Sequence, residues 1–90
     1  MSTWFTYIIY SQSTDKFYTG YSGDLNTRLE RHNDGWSKST KSGIPWKIVY
    51  FESFQSKSEA IKREIEIKKK KSRIFIERLI RNAGGRPDID

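Results

Sequence analysis

Five side chains in this 90-residue chain have types and spacings that could do chemistry together: Tyr7, Tyr18, Arg28, His32 and Glu64. Arg28 and His32 stand four residues apart, so on a helix they share one face. A neutral imidazole accepts a proton near pH 7, its ordinary pKa being ~6.5. A phenol, at pKa ~10, is a poor base unless nearby cations depress it. The planar guanidinium grips two oxygens at once and suits a phosphate carrying developing charge. Each residue also has a plainer reading: tyrosines with satisfied hydroxyls on strands, a surface arginine near a helix end, a structural histidine. Glu64 follows Ala60 by four and Ile61 by three, on what reads as the inward side of a helix. An acid there is unusual unless paired, and an ion pair to Lys68 at i+4 would contribute only a few tenths of a kcal/mol, about 0.2–0.5.

The elements that would position these groups can be read in order. Residues 4–10 are aromatic and β-branched without a breaker and predict a strand, its near-continuous apolar content implying burial on both faces. Turn residues over 11–16 and a second strand over 17–22 make an antiparallel hairpin. Gly20 inside that strand marks a bulge or a close approach by backbone or ligand. Asp24 N-caps a helix over about 25–32 with Leu25 and Leu29 inward, and Asn33, Asp34 and Gly35 stop it. Residues 34–46 read as a polar loop, on which Lys38 and Lys41 either reach phosphates or keep it solvated. Residues 46–54 predict a third strand with Ile48, Val49, Tyr50, Phe51 and Phe54 in the core. Ser56 and Glu59 form a capping box, opening a helix with Ala60, Ile61, Ile65 and Lys68 on one stripe. Ser72 caps or kinks the chain before a last helix carrying Ile76, Leu79 and Ile80. Of the other aromatics, Tyr21 and Trp36 either flank a groove or fill the core, and Trp46 reads as core. The order ββαβαα predicts an α+β fold: a small three-stranded antiparallel sheet flanked by three helices. One domain over 1–82 is expected, with a disordered tail over 83–90.

Composition narrows the chemistry. There is no cysteine, so neither disulfides nor thiolate chemistry operate, and one histidine excludes a His-rich metal site. No glycine-rich phosphate loop precedes a helix, and no apolar run approaches a membrane span. The first residues lack the layout of a signal peptide. The expectation is a soluble, cytoplasmic protein with no membrane partner. Residues 57–81 carry ten Lys/Arg and four Asp/Glu, a net +6, whereas residues 1–56 net only +1 and 82–90 net −1. Charge concentrated in one helical region is either a solvated face or a site for a polyanion.

The ordered residues resemble the GIY-YIG endonuclease domain. The first triplet of its motif corresponds to Phe5-Thr6-Tyr7, keeping the tyrosine, and the second to Tyr18-Thr19-Gly20, keeping tyrosine and glycine. The likeness continues through Asp24-Leu25-x-x-Arg28-Leu29-x-x-His32-Asn33, the run from Pro45 to Glu52, and Ser58-Glu59-Ala60-x-x-x-Glu64. It is greatest to small stand-alone bacterial members; the same domain makes one of the incisions of the excinuclease in DNA repair. The resemblance implies a metal-dependent DNA endonuclease, structure-selective and with RNA not excluded as a substrate, and one metal in one domain implies that it nicks one strand per event. Glu64 would then ligate one divalent cation, Mg²⁺ with Mn²⁺ as a substitute, an ion content with few protein oxygens. Arg28 would stabilise the phosphate, and Tyr7, Tyr18 or His32 would take the proton, His32 standing where many relatives have tyrosine. Gly20 would admit substrate, and Lys62, Lys68, Lys69, Lys70 and Lys71 would hold the phosphate backbone without reading sequence. An alternative is a nucleic-acid-binding module that does not cut, or cuts only with a protein partner that targets it.

Overall fold

Strand β1 (Trp4–Ser11) lies at the centre of the sheet, between β2 (Lys16–Ser22) and β3 (Trp46–Phe54), antiparallel to both. The computed structural model describes residues 3–84. The central position explains the unbroken apolar run. Thr6, Tyr7, Ile8 and Ile9 are all buried, because both faces of β1 are covered. Around the hairpin turn the Ser11 hydroxyl accepts from the Thr14 N–H, and Asp15 takes a left-handed conformation (φ 55°). The β1–β2 register runs without interruption, Tyr7 opposite Gly20 and Ile9 opposite Tyr18. The irregularity falls on the other side. Ile8 pairs with Tyr50 and Ile9 with Ile48, which leaves Val49 as the extra residue of a bulge.

Helices cover opposite faces. On the Tyr7–Ile9 face, α1 (Leu25–Asn33) packs Leu25 and Leu29 against a core of Tyr7, Ile9 and Trp46. Its N-cap is Asp24, whose carboxylate accepts from the Thr27 N–H and hydroxyl at 3.1 and 2.9 Å. On the Thr6 face, α3 (Lys57–Lys70) is tied to the sheet by the Thr6 hydroxyl, which donates to the Ala60 carbonyl at 2.7 Å. The Ser56 hydroxyl caps α3 by accepting from the Glu59 N–H, but its own proton goes to the Glu59 carboxylate, so the box closes between side chains rather than reciprocally through the backbone. The turn after α3 places Lys71 in the left-handed region, and Ser72 then caps α4 (Arg73–Gly84) by accepting from the Phe75 N–H. Arg73 locks α4 to the hairpin, donating to the carboxylate and carbonyl of Asp15.

Four expectations change. Residues 38–41, expected in a loop, form a single-turn helix, α2 (Lys38–Lys41), so four helices flank the sheet among the described residues. Tertiary contacts hold it: the Trp46 indole N–H donates to the Thr40 carbonyl at 2.6 Å, and the Trp46 ring fills the space where Gly43 lacks a Cβ. On α3, Ile67 and Ala60 are buried whereas Ile65 and Lys68 are exposed. At about 100° per residue, Ala60, Glu64 and Ile67 lie within roughly 60° of one another and Ile65 about 140° from Ala60. Phe51, expected in the core, is 52% exposed, because it stands at the open end of the α1 face beside Phe5. Finally, α4 runs through Gly84, two residues into the expected tail, and the rest of that tail lies outside the described residues.

Candidate active site

Glycine at position 20 decides where Tyr7 can go. A Cβ there would meet the Tyr7 hydroxyl oxygen at 2.5 Å and the ring carbon bearing it at 2.7 Å. The close approach foreseen at Gly20 is therefore made by the phenol of its own cross-strand partner, in a regular ladder. Lying over Gly20, the Tyr7 side chain reaches the last turn of α1, where its hydroxyl meets His32 Nε2 at 2.8 Å. The Nε–H of Arg28, one turn earlier, donates to the same hydroxyl at 3.4 Å.

His32 is 1% exposed, and its other ring nitrogen, Nδ1, meets the Thr40 hydroxyl at 2.8 Å. The Thr40 hydroxyl donates to the Ser37 carbonyl at 3.4 Å. It therefore accepts from Nδ1–H, which leaves Nε2 bare to accept the Tyr7 proton. The chain Tyr7–His32–Thr40 is thus oriented from both ends. Burial, and secondarily the Arg28 charge, lower the His32 pKa below the ordinary histidine value, keeping the imidazole neutral at pH 7. Burial raises the Tyr7 pKa, and the hydrogen bond and charge of Arg28 only partly oppose this. A free phenolate is disfavoured, and so is an imidazolium at His32, so the phenol can give its proton to Nε2 only as another proton reaches its oxygen.

These groups open into a cleft of about 410 Å³ along the β2 edge, lined by Tyr7, Tyr18, Gly20, Arg28 and Glu64. Because α1 and α3 cover opposite faces of the sheet, the edge strand is where their side chains meet. Glu64 comes from α3 with its side chain only 14% exposed, and among the described residues its one ionic partner is Lys68 Nζ at 3.0 Å. The same ammonium stands 5.4 Å from the centroid of the Tyr18 ring. Tyr18 packs edge-on to His32, with centroids 5.3 Å apart. Arg28 has no carboxylate partner among the described residues, so its remaining guanidinium donors are free for an anion.

The five proposed catalytic side chains and Gly20 therefore converge, although they come from two strands and two helices. The lysines divide. Lys68 and Lys71 line a second groove that adjoins the cleft through Tyr18. Lys70 stands over the Phe75 ring, at 5.4 Å. Lys62 and Lys69 line neither groove, lying about 160–180° around α3 from the buried Ala60 stripe. Sequence reasoning passed over Thr40, Arg31, Lys57 and Trp4. Thr40 carries no local signal, because only the fold brings it to His32. Arg31 had one, its place three residues after Arg28 on the same helix face. Trp46 is core, as expected, while Tyr21 lines the cleft and Trp36 is exposed.

Could this site hold a divalent cation? Among the described residues no group of three or more His, Asp or Glu side chains is arranged to bind one. The cleft offers one shielded carboxylate oxygen pair, with Arg28, Arg31 and Lys57 also on its walls. That donor set suits a hard ion completed by water and by the oxygens of a bound phosphate, as Mg²⁺ prefers, and would not suit one needing a full protein cage.

Residues 3–78 match the GIY-YIG catalytic domain. A UPF0213 protein of Staphylococcus aureus strain Mu3 is 46% identical over 83 residues, covering 87% of this chain and all of the relative; the relative from strain N315 gives the same figures. The solution NMR structure of a UPF0213 protein from Bacillus halodurans superimposes with a TM-score of 0.58 at 33% identity, over 93% of this chain and 88% of that one. No helix of the described residues is long and apolar enough to cross a membrane. With its two strand tyrosines, the arginine of α1 and the carboxylate of α3 in one cleft and the histidine of α1 buried behind Tyr7, the chain belongs to the GIY-YIG family, whose domain is of nuclease type.

Proposed function

We infer that the protein is a metal-dependent endonuclease that hydrolyses phosphodiester bonds in DNA, cutting one strand per event. The observation that carries this reading is the 2.8 Å contact between Nε2 of the buried His32 and the Tyr7 hydroxyl, itself in reach of Arg28 at the wall of a cleft that also presents the shielded Glu64 carboxylate. An attacking water passes a proton to the Tyr7 oxygen as the phenol hands its own to His32 Nε2. The water oxygen bonds to phosphorus and the P–O3′ bond breaks, the leaving oxygen taking a proton from solvent. Arg28 meets the charge that grows on the non-bridging oxygens. Glu64 would hold Mg²⁺ or Mn²⁺, which supplies Lewis-acid polarisation of the phosphate and stabilises the leaving oxygen. Tyr18 shields the imidazole from the cleft side, and Lys68 and Lys71 hold the flanking backbone in the adjoining groove.

One observation favours the second reading, a module that binds nucleic acid without cutting: the Glu64 carboxylate is already engaged by Lys68. Cleavage and binding separate the two. Labelled duplex, nicked, flapped and branched DNA, single-stranded DNA and RNA are incubated with wild type and Glu64→Ala in Mg²⁺, Mn²⁺ and EDTA. The nuclease reading expects cuts only by wild type in metal. Binding without cuts on every substrate would move the assignment to the non-cutting module.

A further inference from the structure

Trp36 is 70% exposed, the most exposed of the large hydrophobic side chains among the described residues. Its backbone is nevertheless fixed. The Trp36 N–H donates to the Arg31 carbonyl at 3.1 Å and the Gly35 N–H to the His32 carbonyl at 3.2 Å, with Gly35 left-handed at φ 82°. This is the six-to-one and five-to-two pattern that ends a helix on a left-handed glycine. It fixes the backbone that carries the indole at the end of the helix bearing Arg28 and His32. Arg31, whose guanidinium carbon lies 4.9 Å from the indole centroid, also lines the cleft.

The helix stop requires Gly35 but no tryptophan, and a contact between positions 31 and 36 commonly accompanies such a stop. That contact accounts for the Arg31 face of the ring and leaves the rest of it in water. The other exposed large hydrophobics, Phe51, Ile65 and Ile74, stand on β3, α3 and α4. Trp36 is therefore a single aromatic surface rather than part of an apolar patch. Its charged neighbours in sequence are Arg31, Lys38 and Lys41 against Glu30 and Asp34, a net positive setting. An exposed, isolated indole on an anchored backbone, with a cation on it and beside a cleft suited to phosphate, has the chemistry that stacks on a nucleobase.

We propose that Trp36 is a stacking platform for one unpaired nucleobase of the strand whose phosphate lies in the cleft, and that it makes the protein prefer nucleic acid with single-stranded nucleotides beside the scissile bond. This rests on the nucleic-acid reading of the cleft and adds a substrate preference to it. A base inside an intact duplex has no free face, so blunt duplex gains nothing from Trp36. Stacking is indifferent to the sugar, so single-stranded RNA shares the contact. Trp4 also lines the cleft, under Lys57 Nζ at 5.5 Å, but it is half-buried against Tyr21 and offers less free ring.

The test is binding in EDTA, read by anisotropy of labelled oligothymidylate, of a duplex with a single-stranded overhang and of a blunt duplex, for wild type, Trp36→Ala and Trp36→Phe. Trp36→Ala should bind the single strand and the overhang about tenfold more weakly, with blunt-duplex affinity within about twofold and Trp36→Phe close to wild type. The slope of affinity against salt should not change, since no phosphate contact is lost. Equal affinity of wild type and Trp36→Ala for the single strand would overturn the proposal while leaving the nuclease reading intact. So would an equal loss on all three ligands, or a dimer by light scattering that Trp36→Ala dissociates. Absence of nucleic-acid binding by wild type would overturn this proposal together with the reading it rests on, whereas failed cleavage alone would remove only the latter's catalytic half.

Discussion

On the α1 wall of the cleft, Tyr7 and His32 are buried and hydrogen-bonded in series through Thr40, while on the α3 wall Glu64 is tied to a half-exposed lysine by one ion pair. The first wall is built into the fold: Gly20 makes room for the phenol, Leu25 and Leu29 seat the helix, and Trp46 holds the Thr40 carbonyl. The second can rearrange without disturbing the core, since an i,i+4 pair contributes only about 0.3–0.5 kcal/mol. The Tyr7–His32 side is thus preorganised, and the carboxylate side is held by one replaceable ammonium. Substitutions on the α1 wall should damage stability and activity together, and those on the α3 wall activity alone.

The largest expected separation comes from Glu64→Ala against Arg28→Ala. Glu64→Ala should reduce nicking to background, while its melting temperature reports a stability change below about 0.5 kcal/mol. Arg28→Ala should lower the turnover rate about 10²–10³-fold, the usual loss for a donor aimed at developing charge. It should also alter the pH profile, because the Arg28 charge helps keep His32 neutral. A large loss of stability in Glu64→Ala would break the comparison.

Gly20→Ala tests the α1 wall through a residue with no functional group. The added methyl collides with the Tyr7 phenol, which must swing away from His32 and Arg28. Overpacking of this kind destabilises by about 1–3 kcal/mol, and an ångström of misplacement can lower the rate about a hundredfold. Thermal melts and a nicking time course measure both effects on one sample.

Thr40→Val isolates the far end of the relay. It leaves a buried imidazole N–H without its acceptor, for an expected loss of about 1–3 kcal/mol and a rate loss of about tenfold; Thr40→Ser should restore both. pH sharpens the test. Because the folded pKa of His32 is depressed, its neutral form stabilises the fold fully above the ordinary value, ~6.5, and this contribution is lost as pH falls through the depressed folded value. The acid limb of kcat/KM should lie on the acid side of the ordinary histidine value, and Thr40→Val should move it. An unmoved limb would assign the titration to another group.

These residues also mark where sequence was sufficient. The three strands and the Asp24 and Ser56 caps were legible, since aromatic and β-branched runs and cap chemistry are local signals, whereas the grouping of Tyr7, Tyr18, Arg28, His32 and Glu64 came from the resemblance to the GIY-YIG domain. Helix α2 and Thr40 were not, because a short Ser/Lys/Thr run has no apolar period and is held by Trp46 from a later strand. Ile65 and Ile67 are both apolar, and only the orientation of α3 against Thr6 decides which is buried. Gly20 advertised a bulge or an approach by backbone or ligand, and the structure puts the Tyr7 phenol there instead. The lysine run from 68 to 71 looked uniform as text, yet the left-handed turn at Lys71 and the helix phase send its members in different directions.

Lys68 stands between Glu64 and Tyr18 where the cleft meets the adjoining groove, and its removal should have the smallest effect. Its ammonium neutralises Glu64 and stands over Tyr18, so it competes with any cation that Glu64 binds and also attracts a phosphate in the adjoining groove. Lys68→Ala removes both. Half-saturation should come at severalfold lower Mg²⁺ concentration, because Glu64 no longer has to release an ammonium. Affinity for DNA in EDTA should fall severalfold, with the salt slope reduced by about one. Lys69→Ala, on the solvent side of the same helix, should change neither metal titration nor binding by more than about twofold. Opposite movements of metal and DNA affinity in Lys68→Ala, without a shift in melting temperature, would identify the α3 wall as the adjustable half of the site. If Lys68→Ala needed more metal rather than less, the ion pair would be holding Glu64 in place for its ligand instead of competing with it.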